Sequence, residues 1–309
     1  MTDSLLLNPM TVGRLTHAKG APAALSLSCY AQRRSSQAIE VERAREPELF
    51  AALLAWLDGS GPPALPALDI IRKLHFWSQG LLISPDELKA VPRGAKPAIG
   101  DGHQLASALC PQVADLLRGG PGLPALPFAP DPDLAEAGYC SVPPLLAPED
   151  LAAMSVFYAT LSAGDWLNAG TGKDTGQRGF QNDPVARRVH YALTPYFAAM
   201  FGQDIKPSYA YAQEYCRSAA LPRHTDRMQC EFTFSLYVDY QPEPASELCP
   251  WPLIVHAPGG DVAINQPRGG GVVVRGRTLP HSRPPLPPGH SAMMVLLHYV
   301  DAAFAGSLD

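Results

Sequence analysis

The residues best suited to chemistry lie in the last third of the chain, where a histidine and an aspartate stand two apart before a β-rich run. His224 and Asp226 precede residues 231–240 (EFTFSLYVDY). Because residues i and i+2 of an extended chain point to the same face, the imidazole and the carboxylate are expected to project together. A second histidine, His281, follows Asp226 by 55 residues, at the end of the β run GVVVRGR. The three side chains together predict a metal site.

Two imidazoles and one carboxylate on one face of an octahedron leave three positions open, which is typical of non-haem Fe(II) oxygenases. An HxD pair alone is not specific, and the chain has nine histidines. The joint pattern is more informative, because the pair stands where one strand begins and His281 where another ends, with apolar strands between them. On a jelly roll, that spacing returns the chain to the same opening. His190, His256 and His298 are interpreted as structural histidines.

The elements that must position these residues change in character along the chain. Residues 148–162 have acidic residues in a first helical turn, and residues 183–201 have Asp183 as a cap and Pro184 at the first position. Pro195 should kink or divide this second helix. From residue 207 onward, short β-rich runs are separated by Pro and Gly turns, which predicts an antiparallel barrel or jelly roll. Helices followed by strands indicate an α+β fold.

The first 95 residues are expected to form a small separate module. Residues 47–57 have apolar side chains at helical spacing, and residues 68–82 indicate a second amphipathic helix with Gly80 as its cap. The apolar run 81–83 suits an edge strand. Helix, turn, helix and short strand are the outline of a winged-helix-like module, and a helical cap or dimerisation element fits the same pattern.

Two further segments complete the predicted organisation. Residues 96–145 are rich in Pro, Gly and Ala and are expected to be an irregular connector. Residues 146–309 are expected to form the jelly-roll domain with its supporting helices. Proline makes up 33 of 309 residues, about 11%, which favours loops, turns and sheet edges.

The C-terminal third also resembles a known family. Residues 207–300 are similar to the 2-oxoglutarate/Fe(II)-dependent dioxygenases, in particular to the prolyl-4-hydroxylase-like branch. The matching features are a tyrosine nine residues before the HxD pair, the pair itself, the strand after it, and several later segments: Tyr215, RHTD (223–226), EFTFSLYVDY, WPLIV from Trp251, the GGG turn before VVVRG, Pro280-His281 and GHSAMMVLLHYV.

This resemblance implies a double-stranded β-helix in which His224, Asp226 and His281 hold Fe(II). It also implies 2-oxoglutarate and O2 as co-substrates, with ascorbate as an accessory reductant, and hydroxylation of an unactivated C–H bond. The implied substrates are residues of peptides or proteins, or amino-acid-like small molecules.

The sequence departs from the family pattern at one position. The family has Arg or Lys nine or ten residues after the distal histidine, to pair with the far carboxylate of 2-oxoglutarate, and this chain has His290 and Ser291 there. Because arginine supplies the best bidentate partner for a carboxylate, Arg283 is the nearest candidate. Arg275 and Arg277 are others. The alternating tyrosines of the preceding strand could donate hydrogen bonds to the co-substrate or be core residues: Tyr209, Tyr211 and Tyr215.

The composition of the chain argues against several classes of protein. Hydrophobic residues make up 46% and charged residues 17%, as in a globular protein, and the net charge of −5 argues against nucleic acid as the main partner. The six cysteines have no CxxC spacing and are expected to be reduced thiols. No secretory signal and no membrane span is expected, so the predicted location is the cytoplasm. The oligomeric state stays open.

Two other functions fit the same sequence. One is an iron enzyme of the cupin type that works without 2-oxoglutarate, which the missing Arg or Lys makes a real alternative. The other is a non-catalytic jelly roll that binds or senses a ligand. The flanking residues Arg223 and Arg227 could hold an acidic substrate at the opening or be solvated rim residues. Neither glycine pair of the chain has the dinucleotide-binding spacing, and GxSxG is absent.

Overall fold

The structure is a computed structural model and describes residues 5–18, 20–29, 39–60, 65–89, 91, 95–99, 103–125, 131–164, 167–169 and 176–308. The chain forms two units, one of Met1–Ala114 with Ala159–Asn168 and one of Asp115–Tyr158 with Ala169–Asp309. In the described part of the chain, none of the helices combines the length and the apolar character that crossing a membrane requires.

The first unit combines short helices with strands that are mainly antiparallel. Its elements are β1 (Leu6–Leu7), β2 (Thr11–Ala18), β3 (Ala21–Cys29), β4 (Ile39–Glu42), α1 (Pro47–Leu57), α2 (Ile70–Ser78), β5 (Leu82–Ile83), α3 (Pro85–Lys89), β6 (Ala98–Ile99), α4 (His103–Leu109) and a 3-10 turn (Pro111–Val113). A four-stranded sheet has the order β4-β3-β2-β6, and β1 pairs with β5. Alternate residues of β3 and one face of α1 form its apolar core, including Leu25, Leu27, Phe50 and Leu53.

The predicted helix over 47–57 and the short strand near 82 are confirmed. The winged-helix-like outline is not confirmed, because the sheet formed by β2, β3 and β4 precedes the two helices and supplies half of the core. The module is therefore α+β and not helical. Asp69 caps α2 by accepting a hydrogen bond of 2.7 Å from the Arg72 backbone N–H.

The second unit carries the remaining elements. They are α5 (Ala114–Gly119), α6 (Pro132–Ala137), β7 (Tyr139–Val142), α7 (Pro148–Ala163), β8 (Asn168–Ala169), β9 (Gln177–Gln181), α8 (Pro184–Phe201), β10 (Ile205–Tyr215), β11 (Leu221–His224), β12 (Phe232–Gln241), β13 (Leu253–Ala257), β14 (Gly260–Ile264), β15 (Gly271–Val274), β16 (His281–Arg283) and β17 (Ser291–Asp301). The expected irregular connector, 96–145, thus contains three short helices as well as turns; residues 100–102 and 126–130 lie outside the described residues.

Strands β10 to β17 alternate between two antiparallel sheets. The larger sheet has the order β7-β15-β12-β17-β10-β9-β8, and the smaller has the order β11-β16-β13-β14. Pairing of the first strand with the last, the second with the seventh, the third with the sixth and the fourth with the fifth is the jelly-roll arrangement. The structure is therefore α+β, with a jelly roll in its second unit. The limits 1–95, 96–145 and 146–309 given above stay predictions.

Helix α8 covers the outer face of the larger sheet. Phe197 packs on Phe234 with ring centres 4.8 Å apart, and Phe201 stacks on Phe232 at 4.2 Å. Because side chains alternate along a strand, Thr233 and the other odd-numbered residues at the start of β12 face the opposite side, toward the smaller sheet. The apolar face of the helix thus fixes which residues of β12 turn inward.

The ends of α8 follow the expected capping pattern. Asp183 accepts hydrogen bonds of 3.0 and 2.9 Å from the backbone N–H groups of Val185 and Ala186. The helix ends at Gly202, which has a φ of 66°. Pro195 lies inside one continuous helix, so it does not divide the segment; the kink that was the other expectation stays a prediction.

Candidate metal centre and adjoining cation

The structure brings His224, Asp226 and His281 together between the two sheets. His224 is the last residue of β11 and His281 the first of β16, and the two are cross-strand partners with ring centres 4.5 Å apart. Asp226 follows β11, and its backbone N–H donates a hydrogen bond of 2.8 Å to the carbonyl of Gly276. Backbone pairing therefore fixes the position of all three residues.

The ligand atoms are placed as a metal ion requires. Asp226 Oδ1 lies 3.4 Å from His224 Nε2 and 3.6 Å from His281 Nε2. One ligand atom of each residue lies within 4.8 Å of the others, and this is the one such group of His, Cys, Asp or Glu among the residues that the structure describes. Ligands about 2.1 Å from a metal at adjacent octahedral corners are about 3 Å apart, so small movements would complete the site.

Hydrogen bonds fix the tautomer of both imidazoles. His224 Nδ1 lies 2.9 Å from the carbonyl oxygen of Pro222, and His281 Nδ1 lies 3.1 Å from that of Leu279. Because a carbonyl oxygen can only accept, each Nδ1 carries the hydrogen and donates it. In the neutral form of each ring, Nε2 therefore carries the lone pair that a metal ion would take.

The electrostatics keep the group ready to bind a cation. Burial acts to raise the pKa of Asp226, but hydrogen bonding to His224 and the charge of His281 outweigh it and hold the pKa at about 2. The hydrogen bond with Asp226 raises the pKa of His224, whereas burial lowers that of His281. The carboxylate is thus ionised and His281 is a neutral ligand at neutral pH.

The second oxygen of the carboxylate is enclosed by the chain. Asp226 Oδ2 accepts a hydrogen bond of 2.6 Å from the Thr233 hydroxyl. It also lies against Gly276, where a Cβ atom would come within 2.0 Å of it. Only glycine leaves room for the carboxylate at this position.

A buried arginine adjoins the metal group. Arg283 is 4% exposed and shares the inner face of β16 with His281, because the two residues are two apart on the strand. Its guanidinium donates to the Trp251 carbonyl at 2.9 Å, to Ser235 Oγ at 3.2 Å and to Gln266 Oε1. The Trp251 ring lies 4.8 Å below it. Among the described residues, no carboxylate pairs with this cation.

Two of the expected co-substrate tyrosines lie on β10 near this arginine. Tyr215 is buried, its hydroxyl donates to Gln213 Oε1 at 3.1 Å, and its ring meets that of Trp251 edge-on at 4.8 Å. Burial raises the pKa of Tyr215 to about 12, against the opposing charge of Arg283. Tyr211 is half-buried on the same face of the strand.

The positions that carry the basic residue in the resembled family lie at the start of β17. His290 Nδ1 is 2.8 Å from the hydroxyl of Tyr240, and their ring centres are 5.5 Å apart. Ser291 is paired with Gln241 across the strands. The imidazole of His290 is therefore bonded to a side chain of the protein. In contrast, the charge of Arg283 has no acidic partner among the described residues.

The other candidate arginines are engaged elsewhere. The guanidinium of Arg275 lies 5.1 Å from the ring centre of Phe232, and Arg277 Nη1 is 3.8 Å from Glu231 Oε2. In contrast, Arg223 and Arg227, which flank the HxD pair, are exposed and have no acidic partner within the described ranges. Trp251 is buried and donates its indole N–H to the Pro284 carbonyl at 2.7 Å.

Sequence reasoning missed several residues that shape the site. Thr233 and Ser235 touch the carboxylate and the guanidinium, and their signal was two polar residues at alternate positions of an apolar strand. Gln266 accepts from Arg283, and nothing in its sequence context marks it. His298, interpreted above as structural, lies 3.0 Å from Thr233 Oγ1 through Nδ1.

Several solved structures are similar to this chain. A prolyl-4-hydroxylase of Pseudomonas putida is 16% identical with a TM-score of 0.46, over 55% of this chain and 96% of that one. An oxidoreductase of the 2OG-Fe(II) oxygenase family from Burkholderia pseudomallei is 14% identical with a TM-score of 0.42, over 57% and 94%. HygX from Streptomyces hygroscopicus, solved with nickel and 2-oxoglutarate, is 10% identical with a TM-score of 0.42, over 55% and 85%.

No family model matches the chain, and no curated protein matches it. The structural similarity extends over slightly more than half of the chain. Within that part, the chain is similar in structure to a prolyl-4-hydroxylase and to another 2OG-Fe(II) oxygenase family protein.

Proposed function

We propose that this protein is a non-haem Fe(II) enzyme that uses 2-oxoglutarate and O2 to oxidise a C–H bond, most simply by hydroxylation. His224, Asp226 and His281 would hold the metal, and Arg283 would bind the far carboxylate of the co-substrate. The observation that carries the proposal is the inner face of β16, where His281 joins the ligand group and Arg283 lies buried with no acidic partner among the described residues.

The ligand group fits iron by the chemistry of its donors. Two neutral imidazoles and one ionised carboxylate, supplied from one side, leave three positions of an octahedron open. His224, Asp226 and His281 would hold the metal from one side and leave the other side open to the co-substrates. When bound, Fe(II) would supply the activation of O2. The protein supplies the ligands, their fixed tautomers and a partly closed space between the two sheets.

The buried guanidinium supports a dicarboxylate as co-substrate. Removing a cation from water is costly unless an opposite charge compensates it, and Arg283 contacts only neutral acceptors: the Trp251 carbonyl, Ser235 and Gln266. A ligand carboxylate would supply that charge through charge-assisted hydrogen bonds. Tyr211 and Tyr215 would line the same space, Tyr215 by exchanging its bond to Gln213.

The proposed substrate is a residue of a peptide or protein, or an amino-acid-like small molecule. The exposed guanidinium groups of Arg223 and Arg227 favour a substrate that carries a carboxylate near the oxidised carbon. The proposed location is the cytoplasm, where the six free thiols would stay reduced. Ascorbate would serve as an accessory reductant that keeps the iron ferrous.

Anaerobic titration of the protein with Fe(II) and then with 2-oxoglutarate tests the proposal. A weak visible charge-transfer band should appear only when both are present, and should be absent from the Asp226→Ala variant. Admission of O2 should then release succinate. Iron binding without the band would favour an iron enzyme that works without 2-oxoglutarate. Failure to bind a divalent metal would favour a non-catalytic binding protein.

A further inference from the structure

We propose that Thr233 and His298 are positioning residues that restrict Asp226 to binding the metal through one oxygen. The inference rests on the metal site of the proposed function and assigns a role that the ligand set alone does not contain. The two carboxylate oxygens of Asp226 have different surroundings. Oδ1 faces both imidazoles at 3.4 and 3.6 Å, whereas Oδ2 accepts the Thr233 hydroxyl at 2.6 Å.

The direction of these hydrogen bonds follows from the donors available. An ionised carboxylate can only accept, so the single hydroxyl hydrogen of Thr233 is committed to Asp226. Thr233 Oγ1 must therefore accept from His298, whose Nδ1 lies 3.0 Å away. His298 thus donates to Thr233, and Thr233 donates to Asp226. Each of these two hydrogen bonds polarises the other.

His298 is itself held on all sides. Its ring lies against that of Tyr209, with centres 4.5 Å apart, and the residue is 5% exposed. Its backbone carbonyl accepts from His190 Nε2 at 2.9 Å and from the Ser208 hydroxyl at 3.0 Å. Because β12 and β17 pair Thr233 directly with His298, the register of the larger sheet sets the donor in place.

The coordination number explains why a single carboxylate oxygen matters. Three protein ligands, a chelating 2-oxo acid and O2 fill the six positions of an octahedron. A chelating Asp226 would use a fourth position and leave none for O2. The hydrogen bond to Oδ2 and the bare backbone of Gly276 beside it both favour the carboxylate orientation that avoids this.

The test counts the water molecules bound to Mn(II) in the full-length protein without co-substrate. Broadening of the Mn(II) resonance by 17O-water reports this number directly. Three waters are expected for the parent and for Thr233→Ser, which keeps the hydroxyl, and two for Thr233→Val, which has the same shape without it. Thr278→Val, at an exposed threonine bonded to the Arg275 carbonyl, is the matched control and should keep three.

A second pair of variants tests the donor behind the hydroxyl if Thr233→Val does not fold. His298→Asn keeps a side-chain N–H at the Nδ1 position and should keep three waters, whereas His298→Leu should have two. Three waters in both Thr233→Val and His298→Leu would overturn the inference, as would two waters in the parent. A parent that binds no divalent metal would instead overturn the proposed function, and this inference with it.

Discussion

His224 and His281 face each other across the antiparallel pairing of β11 with β16, with ring centres 4.5 Å apart. A shift of that pairing by one residue would turn one imidazole to the outer face of the sheet. The three side chains are therefore positioned by the pairing of the folded sheet. Metal binding and folding can then be measured separately.

The first prediction concerns the half-exposed ligand. His224→Ala should abolish binding of Fe(II) or Co(II) while the free energy of unfolding of the metal-free protein changes by no more than about 1 kcal/mol, since the side chain is not a core residue. Calorimetric titration and urea denaturation measure the two quantities. His17→Ala, at an exposed histidine of the first unit, is the control. Unfolding of the metal-free variant would show that the residue is structural.

The second prediction concerns a substitution that removes no ligand atom. Gly276→Ala places a methyl group where a Cβ would lie 2.0 Å from Asp226 Oδ2, so the carboxylate must move away from its present position. Metal affinity should fall by about 10–100-fold, as for other changes that disturb ligand orientation. Gly259→Ala, where a Cβ meets nothing within 4 Å, should bind as the parent does. Equal affinity of the two variants would contradict the close contact.

The third prediction concerns the buried cation. Arg283→Gln should raise the concentration of 2-oxoglutarate needed for half-maximal charge-transfer absorbance by about one to two orders of magnitude, if a charge-assisted interaction of about 1.5–3 kcal/mol is lost. Fe(II) affinity should change little, because Arg283 is not a ligand. Arg277→Gln, which removes an arginine paired with Glu231, is the control. An unchanged requirement would move the anchor to another residue.

The fourth prediction concerns pH and the cap of α8. Burial raises the pKa of Asp183 to about 7, against the hydrogen bonds from Ala186, Tyr158 and Val185. The folded protein therefore binds a proton at this group between about pH 4 and 7 that the unfolded chain releases, so its contribution to stability falls as the pH rises through this range. Asp183→Asn keeps an accepting oxygen and removes the titration.

Urea denaturation from pH 4.5 to 8 checks this sign. The difference in unfolding free energy between Asp183→Asn and the parent should grow in favour of the variant by about 1.4 kcal/mol for each unit of pKa shift that the pH crosses. Taking the difference cancels the titration of the other carboxylates and histidines. A difference that is constant with pH would show that Asp183 stays ionised in the folded protein.

The sequence predicted the second unit better than the first. Alternation in the run 231–240 and the capping residues Asp183 and Pro184 are local signals, and local signals were enough for the strands and for α8. The sheet of the first unit was missed because β3 (APAALSLSC) is rich in small residues that also suit helices, although Leu25 and Leu27 alternate on its buried face. The helices of the connector are too short for a period of 3.6 to appear.

The spacing of residues in the sequence was enough to predict the three candidate metal ligands, but not the residues around them. The HxD pair and a later histidine can be found from strand order, because a jelly roll returns its ends to one opening. The roles of Thr233 and His298 could not be found, because most of β17 (SAMMVLLHYVD) is apolar without alternation and its sequence does not show which residues turn inward. Arg283 stood among several arginines, and only its burial without an acidic partner separates it from Arg275 and Arg277.

His281 and Arg283 are the first and last residues of the three-residue strand β16, and the distance between them would limit the length of the proposed co-substrate. With a rise of about 3.3 Å per residue, the backbones of His281 and Arg283 are held roughly 6.6 Å apart by two peptide units that cannot stretch. Under the proposed function, a diacid that reaches from the metal to the guanidinium would have to span this gap, so the length of its chain would decide which 2-oxo acid binds. Diacids one carbon shorter or longer than 2-oxoglutarate would then not contact both the metal and the Arg283 guanidinium.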